Sequence, residues 1–133
     1  MLVLDTDVMV DILRGHSAAI EWLASAGDEV LVLPGLVLME LVNGCRNGDE
    51  VQRLLSLTRV FPIRWPREAD CERALRDFVR GRMSHNLGIL DALIAECAVG
   101  LGAALCTFNV KHFNAIPHLT TVQPYEKQVK GQD

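Results

Sequence analysis

A chain of 133 residues is the size of one domain, and such a domain buries about two thirds of its unfolded surface. Half of the residues are apolar and only 5 % are aromatic, which favours an α/β or all-α core over an all-β one. The net charge of −4 excludes an overall basic field, so a nucleic-acid partner would have to meet a local basic patch.

Leu2, Val3 and Leu4 read as a short central strand, apolar on both faces. It runs into Asp5-Thr6-Asp7, after which a helix is expected over 8–14 with Asp7 as its N-cap. Ser17 is expected to cap a second helix ending near Gly27. A buried strand follows over 30–33, and Pro34-Gly35 turn it into a helix over 36–43 that Gly44 closes. Glu40 is the only charged residue between Glu29 and Arg46. A short helix is expected over 49–57 and a third strand over 60–63. Pro66 opens a longer helix to about Arg82, with Ala74, Leu75, Phe78 and Val79 on its apolar side, and a polar loop covers 84–88.

The stretch 88–109 is the most ordered in pattern. Ile89, Leu90, Leu93, Ile94, Cys97 and Leu101 recur at helical spacing. Gly102 is placed to end that helix, and the apolar run through Leu105 and Cys106 has strand length. Between Gly88 and Val110 only Asp91 and Glu96 are charged. A last strand is expected near 120–122, and the polar stretch 124–133 is expected to fray. The whole of 1–133 then reads as a single domain, without repeat, linker or low-complexity segment.

Alternating short strands and helices call for a three-layer α/β/α sandwich with a mainly parallel sheet. In such sheets ligands bind beyond the carboxyl ends of the strands, where the strand order reverses. The cysteines Cys45, Cys71, Cys97 and Cys106 lie far apart, with no Cys-x-x-Cys pair and no zinc spacing; free thiols in a reducing cytoplasm are expected. No signal-like n-region precedes the first strand, and no apolar run approaches the ~20 residues that span a bilayer.

Asp5, Glu40 and Asp91 share one property: each interrupts apolar sequence. Each also fits a structural role, as a strand end, an Arg46 partner or a helix cap favoured by the macrodipole. Together they point to one carboxylate cluster. Two such charges about 4 Å apart repel by about 4 kcal/mol at an effective dielectric of about 20. A cluster of three therefore raises its pKa values or takes a cation. Oxygen ligands without Cys or His select Mg²⁺ or Mn²⁺ over zinc. Such ions activate water and neutralise charge during phosphodiester cleavage.

The order of motifs carries a further reading. Leu4-Asp5-Thr6-Asp7-Val8, Met39-Glu40-Leu41-Val42-Asn43-Gly44, Leu90-Asp91-Ala92-Leu93-Ile94-Ala95 and Leu105-Cys106-Thr107-Phe108-Asn109-Val110-Lys111-His112-Phe113 follow one another along nearly the whole chain. This series resembles the successive motifs of PIN-domain ribonucleases, above all VapC-type toxins of bacterial toxin–antitoxin pairs. The resemblance implies a cytoplasmic Mg²⁺-dependent endoribonuclease, with Mn²⁺ as a substitute, that leaves a 5′-phosphate and a 3′-hydroxyl. It implies a homodimer neutralised by a cognate antitoxin. By position, Asp5, Glu40 and Asp91 match the acidic metal ligands and Thr107 the hydroxyl beside them. Asn109 matches a position where the family often has Asp, which removes one charge and makes one-metal catalysis the default. Asp7 stands between ligand and helix cap.

RNA would also need cations, and Arg14, Arg46, Arg80, Arg82, Lys111 and His112 are the candidates. Arg73, Arg76 and Arg80 fall at helical spacing, as a phosphate-binding stripe or as a solvated helix face. Trp22 and Trp65 read as core anchors rather than base-stacking platforms. Two competing readings remain at this level. Asp5-Thr6-Asp7 after a strand also resembles the start of haloacid-dehalogenase-type phosphohydrolases, but these need a downstream Lys and the first 110 residues contain none. A PIN-like fold that had lost catalysis and kept RNA or protein binding is the other; retention of all three acids argues against it.

Overall fold

The computed structural model describes residues 1–127. Five short parallel strands form one sheet: β1 (Leu2–Leu4), β2 (Leu31–Pro34), β3 (Ile63–Arg64), β4 (Ala104–Cys106) and β5 (Thr121–Val122), in the order β3-β2-β1-β4-β5. Six helices complete a three-layer α/β/α sandwich: α1 (Thr6–Leu13), α2 (Ser17–Ser25), α3 (Gly35–Asn43), α4 (Gly48–Thr58), α5 (Glu68–Ser84) and α6 (Ile89–Leu101). A single 3-10 turn, Val110–Phe113, follows β4.

The central strands β1, β2 and β4 are almost wholly buried, whereas the edge strands β3 and β5 are not. Val3, Leu4, Leu33, Leu105 and Cys106 are fully inaccessible. Each large apolar side chain so buried contributes about 1.5–3 kcal/mol. The chain builds outward from β1 through β2 to β3, then returns to add β4 and β5 on the other side. The strand order therefore reverses between β1 and β4, and the carboxyl ends of those two strands carry Asp5 and Thr107.

Helix α6 is the internal post of the molecule. Ala92, Ile94, Ala95, Cys97 and Ala98 are buried, and Gly102 ends the helix in the left-handed region at φ 65°. Its partner α5 comes so close that a Cβ on Gly100 would lie 2.2 Å from Asp70 Oδ1, so only glycine fits there. Between them lies a charged network. Arg73 donates to Glu96 Oε1 at 2.7 Å and to Asp70 Oδ1 at 2.6 Å, and Arg80 donates to Asp77 Oδ1 at 2.8 Å. Asp70, Asp77 and Glu96 are each no more than 3 % exposed.

Several local expectations shift. Asp5, not Asp7, is the N-cap of α1, its carboxylate accepting from Thr6 N–H. Ser17 is the first residue of α2 rather than its cap, and His16 caps without a side-chain bond. The third strand is displaced from 60–63 to 63–64, because Phe61 turns inward on a Phe61 N–H to Thr58 C=O bond while Val60 is left 80 % exposed. Trp65 is no core anchor: it lies flat against Gly35 and remains 53 % exposed. The expected fraying from 124 does not begin there, since Tyr125 and Lys127 both bond to Asp11; positions 128–133 lie outside the described residues.

Burial, with the facing Asp77 carboxyl adding to it and Arg73 opposing, holds the Glu96 carboxyl well above its ordinary range. A folded state that binds the proton more tightly than the unfolded one is most favoured at low pH and loses stability as pH rises toward the folded pKa. Glu96→Gln, which has no proton to lose, should remove the Glu96 share of the decline in stability as pH rises toward about 7 and leave the share of Asp5, whose pKa is also raised. Urea denaturation of both proteins across that pH range checks it.

Candidate active site

The site assembles where β1 and β4 end side by side. Asp5 N–H donates to Cys106 C=O at 3.0 Å, which continues the parallel ladder one residue past β1. That bond aims the Asp5 side chain at the next residue of the neighbouring strand. Thr107 Oγ1–H donates to Asp5 Oδ2 at 2.8 Å, and Thr6 N–H donates to Asp5 Oδ1 at 2.8 Å. Thr107 is fully buried and takes Asn109 N–H on the same hydroxyl at 3.0 Å.

Asp7, in the first turn of α1, faces the same loop. Its Oδ2 accepts from Phe108 N–H at 3.0 Å, and its Oδ1 is buried without a donor. The sequence left Asp7 between cap and ligand; its observed role is to hold the backbone after Thr107. Glu40, on α3, joins through a hydroxyl that the sequence reading passed over: Thr6 Oγ1–H donates to Glu40 Oε1 at 2.8 Å. A threonine between two acids was the available signal.

Asp91 sits at the third position of α6. Its Oδ2 accepts from Gly88 N–H at 3.0 Å, a helix-capping bond, and lies 2.7 Å from His112 Nε2. His112 is thus drawn to Asp91 rather than standing free for a phosphate. Asn109 is exposed, and its backbone rather than its side chain makes the recorded bond.

Crowding shows in the protonation chemistry. Burial, then the neighbouring Asp7 charge, pushes the Asp5 carboxyl up to about 6 against the bonds from Thr107 and Thr6, with a smaller push from Asp91. Burial raises Asp7 as well, over the opposing bond from Phe108. Among the described residues, however, no three acid, imidazole or thiol groups close on a common centre. The expected single pocket of Asp5, Glu40 and Asp91 is drawn toward three local partners instead: Thr107, Thr6 and His112. The donor set itself suits a hard divalent cation, being all carboxylate oxygen at one end of the sheet. Among the described residues Asp7 Oδ1 has no donor, and Asp5 is raised by burial first and by the Asp7 charge second; a cation bound there would give Asp7 Oδ1 a partner and oppose the Asp5 shift.

The candidate RNA cations separate into two groups. Arg14 and Arg46 line a cleft of about 650 Å³ with Thr6, Glu40 and Arg53. Arg46 pairs with Glu50 at 2.8 Å, not with Glu40. On α5 the stripe is compensated, since Arg73 is bound by Asp70 and Glu96 and Arg80 by Asp77. Arg82 and Lys111 are exposed.

Comparison with known proteins places this arrangement. Residues 2–119 match the PIN domain family. The chain belongs to the PIN domain family. Ribonuclease VapC10 of Mycobacterium tuberculosis is 40 % identical to this PIN domain over 117 residues, covering 85 % of this chain and 86 % of that protein. Ribonuclease VapC19 of the same organism is 34 % identical over 125 residues, covering 90 % and 97 %. Among solved structures, a toxin–antitoxin complex from Klebsiella pneumoniae superposes with a TM-score of 0.76 at 26 % identity, over 96 % of this chain and all of that one. VapBC-1 from nontypeable Haemophilus influenzae superposes with a TM-score of 0.76 at 24 % identity, over 92 % and 97 %, and supports the PIN fold.

Asp7→Asn keeps an acceptor for Phe108 N–H but removes the nearest like charge from Asp5. The Asp5 pKa should fall from about 6 toward the ordinary carboxylate range. Carboxyl carbon NMR titration of chelator-treated protein reads the shift directly.

Proposed function

We propose that this PIN domain, one unit spanning 1–133, is a divalent-cation-dependent endoribonuclease acting as the toxin of a toxin–antitoxin pair. The observation that carries the reading is Asp5, buried at the strand-order reversal between the Thr107 hydroxyl and Asp7, with Glu40 on α3 bonded to the adjoining Thr6 and Asp91 at the start of α6. The names of the relatives support it: two are ribonucleases, and the Klebsiella pneumoniae structure is a toxin–antitoxin complex. The reading extends to a cytoplasmic homodimer whose cognate antitoxin covers the site. No helix among the described residues is long and apolar enough to cross a membrane.

Asp5, Glu40 and Asp91 would hold the cation, Mg²⁺ in the cell with Mn²⁺ as substitute. Asn109 in place of an acid argues for one ion rather than two. When bound, such an ion supplies a water of lowered pKa and offsets charge on the phosphoryl oxygens. The chain's own residues do the rest. Thr107 fixes the rotamer of Asp5, and the Thr6 hydroxyl holds Glu40 Oε1. His112 and Gly88 N–H hold Asp91. Arg14, Arg46 and Arg53 line the cleft beside Glu40, where a phosphate backbone would lie, and Arg46 would have to exchange its Glu50 partner for the phosphate. An acidic protein needs that local cation supply, because its total field repels RNA.

Asp91→Asn should cut RNA cleavage by about a hundredfold or more while the melting temperature stays near wild type, and excess EDTA should do the same to the wild type. Full activity in either case overturns the assignment. RNA binding that survives without any cleavage, in antitoxin-free protein with added Mg²⁺ or Mn²⁺, would favour the binding module instead. Reversing charge at Arg14 and Arg46 should weaken RNA binding and reduce its salt slope by roughly one to two, at about 0.7 per single-strand phosphate contact.

A further inference from the structure

We propose that Tyr125 and Lys127 are positioning residues: the segment after β5 straps the loop 107–109 to α1 and thereby fixes Thr107 against Asp5. Two acids one helical turn apart on α1 serve this loop. Asp7 takes Phe108 N–H directly. Asp11 acts on the ring of the same residue through the strap. Tyr125 Oη–H donates to Asp11 Oδ2 at 2.7 Å, and Lys127 Nζ donates to the same oxygen at 2.8 Å.

Both donors also touch Phe108. The Lys127 ammonium sits 4.3 Å from the ring centroid, and Tyr125 meets the ring edge-on at 5.0 Å and 65°. The other side of Tyr125 stacks on His16, with centroids 6.0 Å apart and planes 12° from parallel. Phe108 is therefore gripped at its amide by Asp7 and at its ring by two side chains anchored one turn further along. Its neighbours on either side are the residues that matter: Thr107, whose hydroxyl reaches Asp5, and Asn109, whose amide reaches that hydroxyl.

The chemistry of Asp11 fits an anchor. It is 8 % exposed on a helix that otherwise buries Val8, Met9 and Ile12. Burial opposes its charge, but the bonds from Lys127 and Tyr125 outweigh that and hold its pKa below the ordinary value. A buried anion with two donors on one oxygen is costly to break and directional. A loop tied at one amide alone could swing its threonine by a fraction of an ångström, and displacement of about 1 Å can cost a hundredfold in rate.

The catalytic half of this inference rests on the ribonuclease reading; the mechanical half does not. The test uses full-length Tyr125→Phe and Lys127→Met, which keep ring and stem and remove the donors, with Lys127→Arg as the conservative control. Amide hydrogen exchange at Phe108 and Asn109 should quicken about tenfold in the first two and stay near wild type in the third. Mn²⁺ affinity, read by electron paramagnetic resonance, should weaken roughly tenfold, as for lost outer supports of metal ligands. The kcat for RNA should fall by at least about tenfold with KM within about twofold. Unchanged exchange overturns the strap whatever the activity. Faster exchange with wild-type kcat and Mn²⁺ affinity overturns the positioning role. Faster exchange in a chain whose wild type cleaves no RNA and binds no Mn²⁺ upholds the strap and sinks the ribonuclease reading instead.

Discussion

The hydrogen bond from Thr107 to Asp5 joins residues 102 positions apart and marks the point on which the site turns. It exists because β1 and β4 are parallel neighbours in register, Leu4 opposite Cys106, so that each strand's next residue leaves the sheet at the same height. A parallel sheet whose order reverses there has no helix crossing over that gap, and the two loops diverge around it. Everything else that reaches the site is referred to this pair. Thr6 follows Asp5 and turns to Glu40; Asn109 follows Thr107 and returns to its hydroxyl.

Charge is managed in two opposite ways within one small molecule. Between α5 and α6, three buried acids are met by two arginines, and burial together with the Asp77 carboxyl raises the Glu96 pKa. At the strand ends, Asp5 and Asp7 are bonded among the described residues only by hydroxyls and amides, with Lys127 acting on Asp7 through its charge alone. Neutral donors orient a carboxylate without cancelling its charge. The first arrangement places a guanidinium against each buried acid, although Asp77 Oδ2 has no donor among the described residues. The second leaves an anionic focus, which is what a hard cation requires of a protein.

The layer order, the parallel sheet and the existence of α6 were legible because they depend on apolar length and period, which are local; the buried face of α6 was not, since Ile89 and Leu90 are exposed while Ala92, Ala95 and Ala98 are buried. The three isolated acids stood out because a charge inside apolar sequence is costly unless it is paired, but each takes a partner in the fold, and Glu96, just as isolated, is paired with Arg73. What could not be read is what depends on contacts between distant segments. Asp5 and Asp7 are equal as helix caps by propensity, and only the arrival of Thr107 and Phe108 from 100 residues away separates them. His112 offered a cation; the fold turns it onto Asp91, 21 residues earlier. Arg80 likewise read as one member of a stripe until Asp77 claimed it. Tyr125, the only tyrosine in a polar stretch, was the one warning that the stretch would be tied down.

Trp65 has a use that its place in the fold confers. It lies over Gly35, the first residue of the helix that presents Glu40, with half its surface in water. An indole so placed emits toward the red of the buried range and is open to collisional quenchers. Any macromolecule that covers the start of α3 would shift that emission to the blue and shield it from iodide. The chain thus carries its own optical gauge of that surface, with Trp22, packed against the core, as the internal reference.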